Sequence, residues 1–144
     1  MKKFLGLLIF MFLITENVFA KCKKEDYENF VSTKKICIGI EPVGTKVDGK
    51  FLIPEREKLL VYLHGYRGPV QNDRKLINSI KNKDSNAILM AMPGYLTPGW
   101  KNKSSGSKKK QYSKSGTEPI AQAIVKLKNY YKPEETILIG YSNG

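Results

Sequence analysis

The segment Glu135-Thr-Ile-Leu-Ile-Gly-Tyr-Ser-Asn-Gly144 runs from an apolar stretch straight into Gly140-x-Ser142-x-Gly144. A serine flanked by glycines at this spacing, directly after a buried strand, is the pattern of a nucleophile elbow. In that turn the chain bends sharply from strand to helix and pushes the hydroxyl into the open. Small neighbours are required because the serine sits at unfavourable backbone angles and the turn packs closely. The competing reading, an ordinary turn serine, loses ground because the strand supplies the context the motif needs.

Working upstream, a second glycine-punctuated turn, His64-Gly65-Tyr66-Arg67-Gly68, follows the apolar run at 59–63. In acyl transfer the developing oxyanion must be met by prearranged backbone amides, and a glycine-rich turn at the carboxyl end of a strand offers them. The expected donors are the amides of Tyr66 and Asn143, with His64 and Gly65 shaping the loop.

The segments between these turns read as alternating strands and helices. Residues 58–63, 86–92 and 136–139 are apolar without polar alternation, as expected of strands buried on both faces of a sheet. Residues 69–83 carry one apolar stripe, with Asp73 near the start and lysines near the end, and predict a helix. A second helix is expected to open at Thr117-Glu118-Pro119 and to end at Pro133. Residues 36–40 and 50–54, joined through Asp48-Gly49, predict an N-terminal antiparallel hairpin after a polar lead-in. The fold class expected is α/β, a mostly parallel sheet with βαβ crossovers.

With 41% hydrophobic and 26% charged residues, the chain has the composition of a packed globular domain, not of a collagen, a coiled coil or a disordered chain. Residues 1–20 read as a secretory signal: Lys2 and Lys3, an apolar run from 4 to 14, and Val18-Phe19-Ala20 as the cleavage site. The apolar run is short for a membrane span, so no transmembrane anchor is expected after cleavage. Lys21 before Cys22 argues against lipidation. A secreted or periplasmic product is the expectation. In an oxidising compartment the chain's two cysteines, Cys22 and Cys37, read as a disulfide, with two separate buried thiols as the alternative.

The net charge of +12 attracts polyanions without specifying a fold. Six lysines, Lys101, Lys103, Lys108, Lys109, Lys110 and Lys114, lie in the long segment between 95 and 116 with no acid among them. They read as a solvated loop or as a positive rim for an anionic substrate or surface. Export makes nucleic acid the least suitable partner.

The strings LLVYLHGYRG at 59–68, AILMAMPGY at 87–95 with Trp100 nearby, and TILIGYSNG at 136–144 together resemble the α/β-hydrolase superfamily. More loosely they are similar to its secreted esterase branch related to polyhydroxybutyrate depolymerases and feruloyl esterases. The resemblance covers most of residues 50–144. It implies that residues 21–144 are the N-terminal portion of such a domain, ending at the elbow. It also implies that Ser142 is the nucleophile, that a small-molecule or polymeric ester is the substrate, and that no metal or organic cofactor takes part.

The resemblance places an acid and a histidine after the serine, and neither follows here. A truncated frame, a partial gene model or a fragment is the expectation. The one histidine, His64, falls in the oxyanion loop, with service as the base a remote alternative. A catalytically inactive remnant, or a cationic exported protein that binds anionic surfaces, is the rival reading.

Overall fold

The computed structural model describes Cys22, residues 26–65, Gly68, residues 71–97 and residues 102–141. The expected signal at 1–20 lies outside them. In chain order the described elements are β1 (Phe30–Ser32), β2 (Cys37–Pro42), β3 (Lys58–Leu63), α1 (Gln71–Ile80), β4 (Ser85–Met90), a 3-10 turn at Lys108–Lys110, α2 (Lys114–Tyr131) and β5 (Glu135–Gly140).

The strands form one five-stranded sheet in the order β1-β2-β4-β3-β5. β1 with β2 and β2 with β4 are antiparallel; β4 with β3 and β3 with β5 are parallel. This overturns the expected mostly parallel sheet of βαβ crossovers and, with it, the N-terminal half of an α/β-hydrolase fold. The sheet is mixed, half of its strand pairings are antiparallel, and the described residues hold only two α-helices. The physical reason is that an unbroken apolar run reports burial on both faces and carries no information about strand direction.

Alternation along the central strands divides the core in two. Leu59 and Val61 of β3 and Ile88 and Met90 of β4 face one side, where they pack with Ile120, Ala123 and Leu127 of α2. Leu60, Tyr62, Ala87 and Leu89 face the other, against Ile77 of α1. Burying each of these large side chains fully contributes about 1.5–3 kcal/mol. The spacing of 120, 123, 127 and 131 in α2 is one helical face, which is why that helix lies flat on the sheet.

The expected hairpin of 36–40 with 50–54 does not form. β2 pairs instead with β1, in the segment just after the polar lead-in. The turn at Asp48 and Gly49, both at positive φ, closes only one bridge, Val47 to Lys50. Beyond it, side chains replace a strand partner. The Glu28 carboxylate accepts from the Phe51 and Leu52 amides, and the Asn86 carboxamide both accepts from and donates to the Ile53 backbone.

Side chains from 102–105 likewise complete β2. Ser105 Oγ accepts from the Cys37 amide, Ser104 Oγ accepts from the Gly39 amide and donates to Ala91 O, and Asn102 Nδ2 donates to Ile40 O. The approach is close enough that a Cβ at Gly39 would lie 2.9 Å from Asn102 O, so only glycine fits there. Cys22 and Cys37 form a disulfide, Cα to Cα 5.5 Å, which ties the chain ahead of β1 to the start of β2. Among the described residues no helix is long and apolar enough to cross a membrane.

Candidate functional site

β3 and β5, the strands that lead into the two glycine-punctuated segments, are neighbours and end at the same edge of the sheet. β3 and β5 run parallel with Leu63 opposite Gly140, and the Tyr141 amide donates to Leu63 O at 3.2 Å. The chain therefore enters His64-Gly65 and Tyr141 side by side, one strand spacing of about 4.8 Å apart. Ser142 and Asn143, the expected nucleophile and one expected oxyanion donor, lie outside the described residues, as does the other donor, Tyr66. Gly65 and Gly68 frame that loop: the Gly68 amide donates to Gly65 O at 3.0 Å, closing a tight turn. Gly68 has φ 87°, and a Cβ there would meet the Tyr95 ring at 2.9 Å, so the turn requires glycine on both counts.

His64 is 1% exposed and both ring nitrogens are engaged. The Met92 amide donates to Nε2 at 3.0 Å, which places the proton on Nδ1, 2.9 Å from Gly65 O. Tyr95 meets the ring edge-on, with centroids 4.8 Å apart. Burial holds the imidazole below its ordinary pKa, more strongly than the Gly65 carbonyl raises it. A neutral, doubly bonded ring of this kind joins the β3 turn to the end of β4. It has no free lone pair to act as a base.

Beneath the turn, Tyr62 donates its hydroxyl to the buried Asp73 carboxylate at 2.7 Å. Burial first, and then this bond to Asp73, push the phenol well above its usual value. The pairing couples β3 to the first turn of α1. Sequence reading marked Asp73 only as a residue suited to a helix start; no local pattern signals a bond to a tyrosine on another element.

The lysine segment is anchored, in contrast to the open loop its composition suggests. The Leu96–Lys103 bridge, the buried Thr97, Asn102 and Ser104, and the 3-10 turn hold it against the ends of β2 and β4. Lys108 Nζ sits 4.6 Å above the Tyr95 ring centroid, the same ring that packs on His64. Lys103, Lys108, Lys109, Lys110 and Lys114 are exposed and form no ion pair with another described residue, while Lys101 and Trp100 lie outside the described residues. Tyr95 packs in the core cluster, whereas Tyr112 is largely exposed.

No protein-family model, curated protein or solved structure matches the chain.

Proposed function

We propose that the protein is an exported hydrolase of carboxylic esters that works through an acyl-enzyme on Ser142. The observation that supports the reading is the register of β3 and β5, which brings the His64-Gly65 turn and the approach to Ser142 to the same edge of the sheet, on adjacent strands. In the reaction, Ser142 Oγ bonds to the ester carbonyl carbon and loses its proton to a base. The carbon to alkoxy bond breaks and the alcohol leaves with a proton, after which water releases the acid. The backbone amides of Tyr66 and Asn143 would meet the oxyanion.

The base in this reading is not His64, because Met92 and Gly65 occupy both of its nitrogens, and the sequence contains one histidine. The charged, apolar and small-residue pattern of 1–20, together with the Cys22–Cys37 disulfide, supports a secreted or periplasmic location.

The test is active-site labelling of the native exported product with an alkyl fluorophosphonate, followed by mass spectrometry of the peptide that contains residue 142. The expected result is a single adduct on Ser142 that Ser142→Ala removes. A product that takes up no label, or labels equally well after Ser142→Ala, overturns the proposal in favour of a non-enzymatic role.

A further inference from the structure

The ends of β5, β3 and β4 form a row, and the groups at those ends differ in character. β5 leads towards Ser142, β3 ends in the neutral His64-Gly65 turn, and the chain leaving β4 turns at Met92, whose carbonyl accepts from the Tyr95 amide, to place Tyr95 with the Lys108 ammonium on its ring. Lys108 is fixed in place. A Cβ at Gly94 would lie 2.8 Å from the Lys108 backbone nitrogen, and the 3-10 turn that holds it is capped by Ser107, whose side chain accepts from the Lys109 amide. No described carboxylate pairs with Lys108, Lys109 or Lys110. The ammonium of Lys108 is close enough to His64 to disfavour protonation of that ring, which ties the charge to the turn itself.

We infer that the Lys108 ammonium on Tyr95, beside the His64-Gly65 turn, binds the second, negatively charged group, a carboxylate or a phosphate, of an ester substrate. The inference rests on the ester-hydrolase reading for the identity of the reacting group, but the anion contact itself depends only on described residues. An ammonium already held over an aromatic face is positioned, so an anion gains a charge-assisted bond with little further ordering. The neutral His64 adds no competing charge, and the lysines at 109 and 110 raise the local concentration of anionic ligand.

The experiment has two arms. In the first, the isotopically labelled 144-residue chain is titrated with monomethyl suberate and, separately, with the neutral dimethyl suberate, and amide resonances are followed by NMR. Monomethyl suberate is expected to shift Gly65, Gly94, Tyr95 and Lys108. Lys108→Gln is expected to weaken that binding about tenfold while leaving the rest of the spectrum in place. In the second arm, the native exported product is labelled with fluorophosphonates with and without a terminal carboxylate. The charged probe is expected to label Ser142 faster, by about tenfold at low salt, and Lys108→Gln is expected to erase the difference.

Equal binding of the two suberates, or charged-ester binding untouched by Lys108→Gln, overturns the anion inference. Ser142 labelling without charge preference does the same while leaving the hydrolase reading in place. Selective binding of the charged ester without any Ser142 labelling supports the anion site and overturns the hydrolase reading instead.

Discussion

His64 shows how much a single side chain does at the strand ends. Its two bonds, to the Met92 amide and the Gly65 carbonyl, need the neutral ring with the proton on Nδ1, because a second proton on Nε2 would confront the Met92 N–H with another donor. Burial keeps the folded-state pKa below the ordinary value of about 6.5. Just below that pH the unfolded chain binds more protons than the folded one, so the stabilisation is fully present above about pH 6.5 and is lost as the pH falls towards the folded-state value. Urea midpoints measured between pH 7.5 and 5 are expected to fall with acid. In His64→Leu the slope over that range should flatten, and stability at pH 7.5 should drop by about 1–3 kcal/mol because the Met92 amide loses its acceptor. An unchanged slope in the variant would assign the acid sensitivity to other groups.

At the level of elements, α2 carries a conflict between local preference and packing. Gly116 lies in its first turn, where intrinsic helix propensity favours alanine over glycine by about 1 kcal/mol. A Cβ there, however, would run into the Lys110 carbonyl and lie 2.8 Å from Gln111 Cα, both backbone atoms of the turn ahead of the helix. Packing wins: Gly116→Ala is expected to destabilise by about 1–3 kcal/mol in denaturant unfolding, opposite in sign to the propensity estimate. The same glycine hid the helix start from the sequence, which placed it at Thr117 although the helix begins at Lys114 after Ser113. The stripe of Ile120, Ala123 and Leu127 was legible because periodicity reports burial. The run at 50–54 misled because its backbone partners are the side chains of Glu28 and Asn86, distant in sequence and without periodicity. At the site, the glycines advertised two turns. What fastens one of them, the bond between His64 and Met92, spans 28 residues and leaves no local trace.

Across the whole molecule, the sheet is protected unevenly. β1, one edge, is three residues long, whereas β5, the other, is six residues long and leaves Leu138 55% exposed. A long apolar edge is a template for pairing with other chains, and a charge on it is the common remedy. Leu138→Lys is expected to keep the unfolding free energy from urea titration within about 0.5 kcal/mol of the parent and to suppress concentration-dependent association in light scattering. Association unaffected by the lysine would show that β5 is not the contact. Between these edges, the part of β2 that runs past the end of β4 is finished by hydroxyls and a carboxamide from 102–105 rather than by another strand. The Cys37 and Gly39 amides consequently act as reporters on the lysine-bearing segment: deuterium reaches them when that segment lifts, and an occupant that clamps it down would slow their exchange from the far side of the chain's sequence.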